Sequence, residues 1–384
     1  MGQQSYDLTI LGGGISGCLL LSAVRLRWPQ ASVQLIEKQE RLGGNHTWCF
    51  HEADVPLNAW AWLRPLISKE WPSYEVKFPQ YQRQINSKYF AIRSEDLHQK
   101  MLQNFSENIH LSRAAKASDF PGSMIIDCRG WPPLAEAKNF GYQKFVGLEV
   151  ELESPHGLQQ VTLKDVSLPQ ADGYRFFYLL PWDEKRLLVE DTYYSNHAGL
   201  NVAELDAGIR DYIAAHGWKI KKVHRREVGC LPLALYKNKA VKNSNSDSAL
   251  LRLGAASGVL NPVTGYTLPQ TLQSIQALLE NPQIEFQAWK KTLAHLNAKY
   301  ENQFSYLRLL NRMMFLAAEP EKRFEILQRF YKLSPNLISH FYSAQLTSWE
   351  KARLLLGKPP VSVARALKVL RDESPHMEKV DSNS

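Results

Sequence analysis

A mixed α/β fold is predicted for this chain of 384 residues, with a parallel sheet and its helices, a discontinuous antiparallel-sheet domain and a helical C-terminal region. Three observations carry that prediction. A strand, a glycine turn and a helix open the chain. Alternating strand patterns begin near Phe145, and helical periodicity takes over beyond Gln287.

Leu8, Ile10 and Leu11 read as a short buried strand, and Gly12, Gly14 and Gly17 keep the GxGxxG spacing that joins a strand to a phosphate-binding helix. Gly12 permits the tight turn, Gly14 lets backbone N–H groups approach a pyrophosphate, and Gly17 lets the helix pack on the strand. The helix runs from about Ile15 to Arg27 and stops before Pro29. A second strand, Ser32 to Glu37, ends in a carboxylate placed to accept hydrogen bonds from the ribose hydroxyls of an adenosine. Gly43-Gly44 follows soon afterwards. NAD domains do not usually carry this pair, and it resembles the early FAD signature of the flavoproteins that include aromatic hydroxylases. The parallel domain is therefore read as Rossmann-like and FAD-binding.

Composition narrows the class further. Ten Trp, 16 Tyr and 15 Phe make an aromatic-rich chain, and the net charge of +8 suits an anionic partner such as cofactor phosphates or a lipid surface. The basic residues are dispersed and no nucleic-acid module is present, so no nucleic acid is expected. Cys18, Cys49, Cys128 and Cys230 form no CxxC pair and no metal-ligand spacing, which fits reduced, mostly core thiols in a cytoplasmic protein without a metal. His46 and His51 are too isolated to argue otherwise and read as structural. Residues 8–24 lack charge, but their glycines fit the strand-turn-helix better than a membrane span.

In order along the chain, Glu75 to Phe78 and Ser87 to Ile92 read as strands, and Ser94 opens a helix to about Phe105. Arg93 stands where related flavoproteins put an arginine near the cofactor; a surface salt bridge is the alternative. Met124 to Asp127 is a third parallel strand. Phe145 to Val166 alternates like antiparallel sheet. Lys237 to Ser248 is a polar loop, and Leu250 to Ala256 a strand with a small-residue turn. Gly254 and Gly265 precede a helix from about Thr267 to Asn281, which resembles the late FAD motif. Many flavoproteins of this class have Asp after the strand glycine; Ala255 stands there, so cofactor contact would be mostly through backbone. Arg308 to Phe315, Glu321 to Tyr331 and Leu337 to Gln345 are helical pieces broken at Pro320 and Pro335, and 372–384 is a frayed polar end.

The chemistry is expected in a hairpin. Asp172 to Pro181 is one strand, Trp182 to Lys185 a turn, and Arg186 to Tyr194 the returning strand. Period two puts Tyr174, Phe176 and Tyr178 on one face, and the register decides whether Glu190 or Asp191 meets it. A carboxyl among aromatic side chains resists ionising and stays a proton donor, while the aromatic faces stabilise a carbocation. The alternative is that Glu190 and Asp191 sit at a sheet edge and pair with Arg175 or Arg186.

Residues 43–51 (GGNHTWCFH), 173–178 (GYRFFY), 188–192 (LVEDT), 261–269 (NPVTGYTLP) and 329–333 (RFYKL) resemble the bacterial lycopene β-cyclases, in the right order over about residues 5–371. Cys49 stands where Ser is frequent in that family and Asn261 where His is frequent. The resemblance implies acid-initiated, redox-neutral conversion of lycopene, through γ-carotene, to β-carotene, with FAD in its reduced form and NADPH or NADH as reductant. It makes Glu190 the essential glutamate, as the acid itself or as the group that organises it, with Asp191, Arg175 and Tyr178 around it, and Tyr174, Phe176, Tyr178 and Trp182 as the wall of a dry pocket. It implies linear carotenes as partners and peripheral attachment to a lipid surface, for which the basic residues between Lys351 and Arg371 suit. The domain division expected is 1–50, 85–145 and 246–285 for FAD, 51–84 and 146–245 for the substrate sheet, and 286–384 for a helical cap. A flavin-dependent isoprenoid reductase or hydroxylase and a prenyl-binding carrier are the alternatives.

Overall fold

The computed structural model describes residues 6–130, 139–170, 172–237, 250–356 and 363–371. Most of the loop expected over 237–248, the end at 372–384 and Lys358 lie outside these residues.

Five parallel strands form the first sheet, in the order Leu251–Arg252, Met124–Asp127, Leu8–Leu11, Val33–Ile36 and Ile109–His110. The helix Ile15–Arg27 is buried on all sides from Ile15 to Val24, as a helix apolar around its circumference must be. It packs with the helix Leu268–Leu279 in one core, which also takes in Trp289 of the long helix Phe286–Arg312. Leu250 to Ala256 is less extended than expected: only Leu251–Arg252 pairs, and Gly254–Ser257 turns as a 3₁₀ helix.

The second sheet has seven strands, in the order Ile220–Ala234, Phe140–Leu152, Arg186–Ser195, Tyr174–Pro181, Val161–Asp165, Tyr74–Phe78 and Tyr81–Ile85. It is antiparallel except where Val161–Asp165 runs parallel to Tyr74–Phe78. That parallel pair departs from the expected all-antiparallel pattern, because a distant segment, not a hairpin neighbour, fills the edge. Phe140–Leu152 runs through the boundary expected at 145. A third sheet sets Tyr89–Arg93, expected as a strand over Ser87 to Ile92, between Thr47–His51 and Lys69–Trp71, two strands the tryptophan-rich sequence did not show.

Period two divides the large sheet. Phe176, Tyr178 and Leu180 join the core shared with the C-terminal helices, while Phe177, Leu179 and Val189 pack beneath the helix Val202–Ala215. Arg323, almost wholly buried, ties the C-terminal helices to the hairpin: it donates to the carbonyls of Tyr194 (2.9 Å), Met314 (3.0 Å) and Phe315 (3.0 Å). Pro335 begins the helix Pro335–Tyr342 instead of breaking one, since its missing N–H costs nothing at that position.

Candidate active site

A cavity of about 980 Å³ runs from the glycine turn to the hairpin and is lined at one end by Gly12, Gly14 and Glu37 and at the other by Tyr178 and Glu190. A second, of about 50 Å³, adjoins it, and Cys49, Gln143, Tyr178, Glu190 and Tyr266 line both.

The glycine turn has the geometry its sequence demands. Gly12 holds a positive φ of 104°, and a Cβ on Gly17 would lie 2.0 Å from the Gly12 carbonyl oxygen. A Cβ on Gly14 would meet nothing within 4 Å. Gly14 caps the helix with no side chain, leaving N–H groups directed at the cavity end. Glu37 accepts from the Gly13 N–H at 2.7 Å and the Gln39 N–H at 2.8 Å, one oxygen each. Gly43 and Gly44 both take positive φ and line the cavity, and the Gly43 N–H bonds the Gly13 carbonyl at 2.8 Å. Gly265 lines it too, as does Ala255; Gly254 does not line it but packs against Ser16 at the helix start. A cradle of open backbone, an acid at the second strand and a cleft between the sheets fits an elongated dinucleotide such as FAD.

At the other end, the hairpin register sets Tyr178 opposite Glu190 and Phe177 opposite Asp191. Glu190 therefore shares the face of Phe176 and Tyr178. Its Oε1 accepts from the Thr192 hydroxyl at 2.6 Å, and burial raises its pKa to about 8, with the Glu227 carboxylate adding to the rise and Lys164 opposing it. The Tyr178 hydroxyl donates to that of Tyr89 at 3.1 Å. Phe176 lines the smaller cavity with Tyr194 and Tyr266.

Five expected residues lie elsewhere. Asp191 and Arg175 form a two-toothed ion pair (3.0 and 2.7 Å) on the opposite face, beside Gly208 of the helix Val202–Ala215, because adjacent strand residues point to opposite sides. Arg93 is held by Asp96 (2.9 and 3.1 Å) and Glu149 (3.3 Å), with its guanidinium over Trp182, outside both cavity walls. Trp182 packs on Trp71 instead of lining either cavity. Tyr174 stacks behind Phe176.

Three residues carry no sequence signal yet line the site. Lys164 is buried with its Nζ 3.7 Å from the centre of the Phe176 ring and near Tyr174 and Tyr194; burial lowers its pKa to about 7. Glu227 accepts from the Thr47 hydroxyl at 2.5 Å and pairs with Arg225. Asp54 lies in a short 3₁₀ turn after His51. All three belong to segments whose neighbours are charged or irregular, so no periodicity marks them as buried. All four cysteines are free, three of them buried, and no metal-binding cluster occurs among the described residues.

A family model described as "Lycopene cyclase protein" matches residues 7–368. The chain belongs to the lycopene cyclase family. Membership makes it an enzyme of mixed α/β fold. A lycopene beta-cyclase of Pseudescherichia vulneris is 35% identical over 380 residues, covering 96% of this chain and 98% of the relative. Among solved structures, Klebsiella pneumoniae HpxO complexed with FAD and uric acid aligns with a TM-score of 0.60 at 13% identity, over 88% of this chain and 96% of that one. A geranylgeranyl bacteriochlorophyll reductase-like protein of Thermoplasma acidophilum aligns with a TM-score of 0.53 at 14% identity, over 97% and 98%. These two similarities are of fold.

Proposed function

We propose that this member of the lycopene cyclase family closes β rings on the ends of lycopene, through γ-carotene to β-carotene, without net oxidation or reduction. The observation that supports this best is Glu190: a buried carboxyl whose pKa is raised to about 8, beside aromatic rings, at the far end of the cavity that begins at the glycine turn.

FAD would be held by the backbone at Gly12 and Gly14, by Glu37, by Gly43 and Gly44, and by the turn at Ala255 and Gly265, while Gly17 and Gly254 let the first helix pack closely behind it. Its reduced form, made with NADPH or NADH, supplies an electron-rich surface that favours a nearby cation. Glu190 gives its proton to C2 of the terminal double bond, and the C5=C6 bond attacks the resulting C1 cation. Loss of the C6 proton completes the ring. Phe176, Tyr178 and Tyr194 keep water from the cation and present their faces to it. Tyr178 acts as wall and orienter; Asp191 and Arg175 hold the hairpin. In this reading 1–50, 85–145 and 246–285 serve the cofactor, 51–84 and 146–245 the substrate, and 286–384 covers the site.

The substrate resides in bilayers, and we place the membrane contact on the C-terminal helices. Trp349, 70% exposed, lies near exposed Leu355, Leu356 and Arg353, and the helix Val363–Arg371 exposes Leu367 and Lys368. No helix of the described residues is long and apolar enough to cross a membrane.

The test is anaerobic incubation with lycopene in liposomes and chemically reduced FAD, without nicotinamide. Accumulation of β-carotene of unchanged mass over many turnovers supports the proposal. Unchanged lycopene beside bound, reduced flavin refutes it, and product gained in proportion to flavin oxidised points to a reductase.

A further inference from the structure

Cyclisation moves two protons, one onto the chain end and one off the ring. Glu190 accounts for the first. The smaller cavity holds a second carboxyl, Asp54, on a wall it shares with Glu190. Asp54 is only 3% exposed. Its Oδ2 accepts from the His51 N–H at 2.8 Å, and its Oδ1 has no hydrogen-bond partner. A buried oxygen without a partner is costly and uncommon, and a catalytic use is one explanation for it.

We propose that Asp54 is the base that takes the ring proton, an assignment that rests on the cyclisation reading above. The C6–H bond breaks, its electron pair becomes the C5=C6 double bond, and the proton passes to Asp54 Oδ1. The Asp54 carboxyl then releases it, Glu190 regains one, and no co-reactant is consumed. The cavity of about 50 Å³ is too small for the ring but has room for a water, so the transfer from a ring in the larger cavity runs through one.

The neighbours favour this division. Burial raises both carboxyls, Asp54 to about 7 and Glu190 to about 8, so near neutrality each can hold or take a proton, and position divides the roles: Glu190 lines both cavities and Asp54 only the smaller. Lys164, on the same cavity, has its Nζ against the Phe176 ring and acts on Glu190. His51 is buried against Tyr74, Tyr89 and Tyr342, and burial pushes its pKa down to about 3, leaving it neutral.

The experiment compares wild type, Asp54→Asn and Asp54→Glu, each with bound and reduced FAD, on lycopene carrying deuterium at C6. Asp54→Asn keeps an acceptor for the His51 N–H. The proposal expects its turnover to fall by roughly 10²-fold or more, with a larger C6 isotope effect and a share of rings whose double bond lies elsewhere; Asp54→Glu restores part of the rate and the β ring. A merely structural residue would change the rate without moving the isotope effect or the ring type. Wild-type rate and products in Asp54→Asn, or a slow variant with an unaltered isotope effect and only β rings, overturn the proposal and leave Glu190 to move both protons. If Asp54→Asn fails to fold, the same isotope effect and ring type in Asp54→Glu decide. An inactive wild type with reduced flavin bound removes the cyclisation reading itself.

Discussion

Glu190 and Asp191 are adjacent buried carboxyls in different surroundings. Glu190 faces aromatic rings and the cavity, with one hydroxyl donor, and Asp191 faces Arg175. Glu190→Gln is expected to lower turnover by about 10²–10⁴-fold with flavin still bound. Because the working form of Glu190 is the protonated acid, the rate falls as pH rises through about 8, and an ionised base at Asp54 adds an acid limb as pH falls through about 7. Thr192→Val removes a donor that favours the ionised form of Glu190, so the alkaline limb moves upward. A kcat–pH profile reads both. Asp191→Asn strands Arg175 beneath the helix Val202–Ala215 and should cost about 3 kcal/mol of stability. It should move the alkaline limb of the folded enzyme only slightly, and downward, because the Asp191 charge is the smallest contributor to the raised pKa of Glu190; thermal unfolding and the same profile would show both.

At the scale of elements, the glycine turn and the hairpin were both legible, for different reasons. The turn is local: spacing alone puts Gly17 against Gly12, and Gly17→Ala should destabilise the fold by about 1–3 kcal/mol because its Cβ meets a carbonyl at 2.0 Å. Gly14→Ala meets nothing and should unfold nearly as the wild type does, losing flavin affinity instead; flavin titration and a melting curve separate the two. The hairpin's strands were also legible, but its register depends on how the turn after Pro181 closes, and that decided between Glu190 and Asp191. Arg93 was misplaced because Asp96 and Glu149, one turn away and one sheet away, both claim its guanidinium. Asp54, Lys164 and Glu227 gather from three segments by long-range packing, which no local pattern records.

The whole molecule joins a parallel sheet and a larger, mostly antiparallel one around one cleft, with C-terminal helices packed over the aromatic face of the hairpin. The exposed Trp349, Leu355, Leu356 and Leu367 lie in those helices. Replacing Trp349 and Leu356 by Glu is expected to reduce sedimentation with anionic vesicles several-fold while melting is unchanged, and added salt should weaken wild-type binding. Delivery of one proton by the cleft and removal of another can be measured directly. Lycopene is turned over in deuterium oxide with flavin kept reduced and the product is analysed by mass and by position. Each β ring should carry one deuterium, at C2, with no net flavin oxidation. Rings without deuterium, or products that have gained two hydrogens as flavin is oxidised, would contradict it.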